Sequence, residues 1–498
     1  MPDGTTTERS AIASDGASVT LRERTPQNYI DERPNWSDGT VVSMTPMTAM
    51  QWRIWWLAAA GKFFEGLVVF MTGVSLPLIA QEFHLSKIEH GMVSAASLAG
   101  ILVGAVGLGG LSDRFGRRSM FILESFVFLT FLALLVLSPN FVWLVTCLFG
   151  LGLALGCDYP TAHLMISESI PSSVRGRLVL AAFGFQAVGA LSGTAVGWLV
   201  LKNLAELGAW RWMYATALVP AAFVALWRFG VTESASWLLH RGQIDHAGQA
   251  LKRLLARKPA YPREVRLAAK PEHHYRSGSY LDLFKGPNCR ATVLASVPWF
   301  LQDLGTYGIG IFTPIILVKT LGHSTQHASN LAQLISNDEL AAKGAAVIDA
   351  LLIVGIIAAV LLADRVGRIR LQVIGFIGCA AGLLIASLST NTQSSTQTIL
   401  IFVGLMLFNF MTNMGPNAQT YLLAGEVFPT HIRGQGAGFA AAFAKIGAVT
   451  TAYLFPVLLA DIGTRKLLYT LVGTSLLGAA ITWIFRIETT GVDLDTLS

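Results

Sequence analysis

Apolar runs recur along nearly the whole chain, each cut off by a short polar or basic stretch. A run of about 20 residues crosses a hydrocarbon core of about 30 Å as a single helix. The pattern predicts twelve such helices, over 55–80, 91–111, 119–138, 141–167, 178–201, 213–230, 291–318, 344–363, 371–389, 398–424, 435–460 and 467–486. The expected fold class is all-α, a multi-pass membrane protein of two six-helix bundles. The boundaries follow from the breaks: a polar N-terminal tail over 1–50, expected to be disordered; bundles over 51–230 and 291–487; a linker over 231–290 between them; and a tail over 488–498. The tail has no apolar core of its own, so no cleavable secretory signal is expected.

Composition agrees with the pattern. Of 498 residues, 53% are hydrophobic and only 13% charged, against about 25% charged in a soluble domain. The net charge of +6 would fit a nucleic-acid binder, but its placement argues against one. "DRFGRR", "SVRGR", "DRVGRIR", "THIRG" and the basic linker all fall on one side of the predicted membrane. The other side has only Lys87, Lys202, Arg211, Lys343, Arg465 and Lys466. Basic loops stay cytoplasmic, so both termini are expected in the cytoplasm of a cell-membrane protein. Cys147, Cys157 and Cys379 lie in apolar runs and Cys289 in the linker. They show no pairing or metal-ligand spacing, and neither metal nor cofactor is expected.

The chain repeats itself. "LSDRFGRR" carries Asp113 and Arg117, and "LADRVGRI" carries Asp364 and Arg368. "ESIPSSVRG" carries Glu168 and Arg175, and "EVFPTHIRG" carries Glu426 and Arg433. The intervals, 113 to 364 and 168 to 426, are nearly equal. Two parallel six-helix repeats are the plan of a transporter with a site between its halves. The doubled D-R-x-G-R pattern resembles the cytoplasmic signature of the major facilitator superfamily, and the resemblance covers about 55–490. A weaker likeness joins "ESASWLLHRGQIDHA" to a linker segment of sugar-porter-like members. Asp113 and Arg117, four apart, share a helix face, and Glu168 and Arg175 are expected near them. All eight loop residues are expected to act as a latch that holds the cytoplasmic side shut in one state. Orientation and helix capping are the plainer roles for the same charges.

Charge within the spans needs a reason, because a charged side chain at mid-bilayer costs about 2.5–3.5 kcal/mol. Lys62, Glu65, Asp158, Asp303, Asp349 and Lys445 stand in or near predicted spans. Asp349 is assigned to the outer membrane edge and left out of the site. Trp299, Asp303 and Tyr307 follow in steps of four and line one helix face. Asn413 and Asn417 are also four apart, with Gly415 and Pro416 breaking the helix between them. Asp158 and Asp303 are expected to converge on one wet chamber between the halves.

"GCDYPTAHLMISE" resembles the signature of the phosphate:proton symporters, with Gly156, Asp158, Tyr159, Pro160, Ser167 and Glu168 in register. The resemblance extends to Gln186, to Trp299, Asp303 and Tyr307, to Asn417 and to Lys445. It implies substrate contacts from Tyr159, Gln186, Trp299, Asp303, Tyr307, Asn417 and Lys445. Amide, phenol and indole groups donate to phosphate oxygens, and Asp303 accepts from a phosphate hydroxyl. Proton coupling is expected first of Asp158, whose carboxyl can load and release a proton as its surroundings change, with Asp303 and Glu65 as further candidates. The first span departs from the family. Gly66 and Val69 stand where aspartates are usual, Glu65 is displaced by one position, and Lys62 is placed to pair with it. His163, another departure, is either a second titrating group or a satisfied helix residue.

The expected function is proton-coupled symport of a small polar anion, inorganic phosphate first, by alternating access. A sugar or small organic acid carried by the same superfamily is the alternative. The chain has no Walker loop, zinc-protease pair or nucleophile elbow, so it is not expected to be an enzyme. Its expected partners are a small-molecule substrate, protons and the lipid bilayer, with no nucleic acid, and it is expected to be a monomer.

Overall fold

A computed structural model describes residues 11–12, 18–19, 24–33, 45–108, 111–257, 261–262, 265, 267, 280–321, 331–389, 395–429 and 432–489. Among these, twelve helices are long and apolar enough to cross a membrane: α1 Ala49–Phe83, α2 Lys87–Leu108, α3 Arg117–Val136, α4 Phe141–Ser169, α5 Ser172–Asn203, α6 Ala209–Arg228, α7 Asn288–Lys319, α8 Gln333–Ala363, α9 Arg368–Leu388, α10 Ser395–Glu426, α11 Gln435–Asp461 and α12 Gly463–Ile484. Every predicted span falls on one of them. Outside them lie short helices and one antiparallel pair of two-residue strands.

Local sequence explains most boundaries. Thr48 and Gln51 form a capping box at the start of α1, and Ser86 and Glu89 form another at α2. Asn140 caps α4 by accepting from the Trp143 amide at 2.9 Å. The helix that holds α8 starts at Leu331, well before the predicted 344. "QLISNDELAAK" is too polar to register as membrane-apolar, yet it forms helix readily. Within α10, Gly415 takes φ −107° and ψ −98°, and a new helix starts at Pro416, where a missing N–H costs nothing.

An even number of antiparallel spans leaves Ala49 and Ile484 at one end, here called basal; the other end is distal. Helices α1–α6 and α7–α12 form two halves that meet through α1 with α7, α2 with α11, and α5 with α8. In the "GLGLALG" stretch of α4, a Cβ on Gly152 would come within 1.9 Å of the Ser97 carbonyl oxygen of α2. Small residues there let two backbones touch.

The basal ends of the halves are built alike. Gly116 (φ 100°) and Gly367 (φ 98°) begin α3 and α9. Glu233, just beyond α6, accepts from the Arg118 amide at 3.0 Å. Glu488, just beyond α12, accepts from the Arg368 amide at 3.0 Å. Linker helices Ala235–His240 and Ile244–Leu254 follow α6, and Trp237 donates its indole N–H to the Asp113 carbonyl at 2.8 Å. Residues 24–33 depart from the disordered tail expected over 1–50. The helix Pro26–Asp31 docks on α5, with Asp31 accepting from the Ser172 amide at 2.7 Å. Its ordering comes from capping a helix N-terminus far away in sequence.

Candidate functional site

Three helices from both halves bring their charges together at mid-depth, and a fourth adds an amide. On α1, Lys62 Nζ lies 2.7 Å from Glu65 Oε2. The pair is three residues apart, so both point to one face. The other Glu65 oxygen accepts from Tyr307 OH of α7 at 3.2 Å and from Gln186 Nε2 of α5 at 3.3 Å. Lys445 of α11 donates to Tyr307 OH at 2.7 Å, and its Nζ stands 3.5 Å from both Glu65 Oε1 and Asp303 Oδ2. Glu65, Asp303, Lys62 and Lys445 are all buried. Two ammonium groups therefore balance two carboxylates within this cluster.

Aromatic rings line this cluster. Lys62 Nζ sits 3.5 Å from the centroid of the Tyr159 ring, a favourable place for a cation. Tyr421 of α10 stacks on Phe183 of α5 at 4.6 Å and meets Tyr159 and Trp299 edge-on at 5.9 and 6.2 Å. Tyr421 OH is 3.0 Å from His163 Nδ1. His163 is solvent-exposed although it lies six residues inside the basal end of α4, about 9 Å deep. Tyr159 OH has no hydrogen-bond partner among the described residues. The phenol, indole, imidazole and two ammonium groups can receive a small anion with an apolar body.

Asp158 does not belong to this cluster. Its Oδ1 lies 2.6 Å from Arg228 of α6. The same guanidinium reaches Glu124 Oε1 of α3 at 3.1 Å and the carbonyls of Phe121 and Leu57 at 2.7 and 3.2 Å. These partners all lie in the first half, so the expected convergence of Asp158 and Asp303 on one chamber is corrected. The reason is rotational. Asp158 and Tyr159 are neighbours on α4 and point about 100° apart, and only Tyr159 faces the other half. Gly61 of α1 leaves the room Asp158 uses, since a Cβ there would lie 1.8 Å from Asp158 Oδ2.

The remaining sequence candidates fall into place around these two clusters. Tyr307, Asp303, Gln186, Lys445 and Glu65 are brought together. Trp299, on the same face of α7, reaches only the aromatic lining. Asn417 donates to Asn413 at 2.7 Å, and Asn413 donates to the Leu352 carbonyl of α8 at 2.9 Å, so these amides stitch α10 to α8. Asp349 is fully buried against Asn409 of α10, 3.0 Å away, rather than at a membrane edge. The basal charges pair within each half. Arg117 meets Asp113 at 2.5 Å and Glu168 at 3.3 Å, so Arg175, expected beside Glu168, instead donates to the Ser172 hydroxyl at 3.3 Å. Arg368 meets Glu426 at 3.4 Å, and Arg433 donates to the Phe428 carbonyl at 3.1 Å. The side chain of Asp364 lies outside the described residues.

Sequence reading passed over Glu124, Arg228, Phe183 and Tyr421. Glu124 and Arg228 are isolated charges inside predicted spans; the rule that selected Asp158 applies to them equally. Nothing local marked the two rings, whose role comes from packing.

Comparison with known proteins places this architecture. The niacin transporter NiaP of Acinetobacter baylyi is 26% identical over 91% of this chain and 97% of its own length. A candidate inorganic phosphate transporter of Schizosaccharomyces pombe is 26% identical over 91% of this chain and 88% of its own. The xylose transporter XylE of Escherichia coli, in a partially occluded inward-open conformation, superposes with a TM-score of 0.72 at 19% identity, over 90% of this chain and 100% of that one. The fold is that of the major facilitator superfamily, whose members are carriers and not enzymes. With a sugar (and other) transporter family profile matching residues 39–498, the chain belongs to that family of multi-pass membrane transporters.

Proposed function

We propose that this chain is a proton-coupled carrier of a small organic acid, a metabolite carboxylate, working by alternating access with its basal end in the cytoplasm. The observation that carries the reading is the pair Lys62 and Lys445, each held by an acid and set beside an aromatic wall. A neutral sugar has no use for two buried ammonium groups. A carboxylate entering between them takes over the role of Glu65, and its apolar body lies against Tyr159, Phe183 and Tyr421. The relative named for niacin, an aromatic acid, fits this chemistry. Proton coupling is assigned to Asp158 and Glu124. Two carboxylates facing one guanidinium leave one excess negative charge in the first half. Binding one proton there cancels it, and releasing that proton on the other side of the membrane completes a cycle.

Inorganic phosphate is the second reading. It is favoured by the residues shared with the phosphate symporters, most of which border the same cluster, and by the relative named as a candidate phosphate transporter. Uptake into proteoliposomes with an imposed proton gradient separates the readings. Gradient-dependent uptake of labelled nicotinate, competed by benzoate and not by phosphate or xylose, is expected. Saturable phosphate uptake indifferent to benzoate would establish the second reading instead.

A further inference from the structure

The distal end of the seam between the halves holds a cavity of about 460 Å³, apart from the central cluster. Its apolar wall includes Leu76 of α1, Phe312 and Ile315 of α7, Leu334 of α8 and Leu459 of α11. Its polar wall is made by Lys87 and His90 of α2, Lys319 of α7 and Asp338 of α8. Lys87 and Lys319 line the same space. Lys319 forms no ion pair among the described residues, and Lys87 has one, 3.1 Å from Asp461 with both side chains exposed. Asp338 is only 3% exposed, and its Oδ2 has no hydrogen-bond partner among the described residues. A buried oxygen without a donor is a site waiting for one. Two repelling cations are relieved by an anion placed between them.

We propose that this cavity is a second binding site, taking a small organic anion that also carries a hydrogen-bond donor. The carboxylate answers Lys87, His90 and Lys319, the apolar body lies on Phe312 and Leu334, and a hydroxyl or N–H of the ligand donates to Asp338. A single-ring acid fits the volume, which lies within the range of small-molecule pockets. The site is separate from the central one. Between them α1 and α7 are in backbone contact, where a Cβ on Gly73 would lie 2.0 Å from the Ile311 carbonyl oxygen. Only the match in ligand class rests on the proposed function; the cavity and its unmatched groups do not.

The test is protection of a reporter cysteine. Leu85 lines the cavity and Cys289 is exposed, so Leu85→Cys is made in a Cys289→Ser chain, reconstituted whole in lipid nanodiscs. It is labelled with a charged thiol reagent. 4-Hydroxybenzoate is expected to protect it at about tenfold lower concentration than benzoate, which lacks the donor. Asp338→Asn is expected to erase that difference, and Lys319→Gln to weaken both ligands about tenfold. Protection should persist in Lys445→Gln. No protection at millimolar ligand, or protection lost in Lys445→Gln and kept in Lys319→Gln, overturns the proposal. Equilibrium binding of labelled 4-hydroxybenzoate gives an independent check: a binding component kept in Lys445→Gln and weakened about tenfold in Lys319→Gln is expected, and the lack of any such component contradicts the proposal. Protection in a chain that carries no carboxylate would leave this site standing and remove the proposed transport function alone.

Discussion

Arg228 shows how one side chain can organise a buried region. Its guanidinium serves Asp158, Glu124 and the carbonyls of Phe121 and Leu57, and it lies over the Phe121 ring at 3.6 Å. Taking away one partner of a buried ion pair costs about 3–5 kcal/mol, because the other charge is left uncompensated. Arg228→Ala is therefore expected to lower thermal stability sharply, while Asp158→Asn keeps the guanidinium paired with Glu124 and folds. Asp158→Asn should still exchange labelled substrate across proteoliposomes yet fail to accumulate it against a gradient. Gradient-driven accumulation at the wild-type level would remove Asp158 from proton coupling. At the central cluster the displaced Glu65 is the informative residue. It meets Lys62 on its own helix and Lys445 from the other half.

At the scale of elements, the repeated loop motifs resolve into a helix-start device. Gly116 and Gly367 both adopt φ near 100°, which only glycine reaches without strain. Each stands beside a carboxylate that caps the next helix. A Cβ on Gly367 would lie 2.9 Å from Glu488 Oε2, and one on Gly116 would lie 2.6 Å from Glu233 Oε2. Gly367→Ala is expected to cost about 1–3 kcal/mol and to loosen the cap on α9. Thermal unfolding of the purified variant measures it, and an unchanged midpoint would refute the capping role. In this conformation the charges of these motifs pair locally. Arg117 with Asp113 and Glu168, and Arg368 with Glu426, tie loops within a half.

For the whole molecule, the question is where the two halves grip. Distally, α1 and α7 touch backbone to backbone at Gly73, and Lys87 meets Asp461 across the seam. Basally, His163 is open to solvent above the aromatic wall. The seam is closed distally at Gly73 in this conformation, and the proposed alternating access requires differential contact between two such states. Gly73→Leu puts a side chain where there is room for none. It is expected to open the distal seam and bias the carrier towards the opposite state. Cysteine reagents applied from the distal side should then label the Leu85→Cys reporter faster. Transport falls while the protein still folds, and an unaltered labelling rate would mean that the seam does not close there.

How much was legible depends on whether a feature is local. Twelve spans, the doubled motifs and the helix break at Gly415 could be read directly, because run length, interval and backbone preference are properties of consecutive residues. The grouping of Gln186, Tyr307, Asp303 and Lys445 was legible too, through a resemblance that spans several helices. The partner of each charge was not. Asp158 looks equivalent to Asp303 along the chain, yet it faces Arg228 in its own half, because a turn of about 100° between neighbours sends Asp158 inward and Tyr159 across the seam. The distal cavity was equally hidden. Lys87, Lys319 and Asp338 look like ordinary loop-proximal charges until five helices bring them around one space. Helix count and order are set by short-range hydrophobicity, whereas the pairing of buried charges is set by how rigid cylinders rotate and pack against each other.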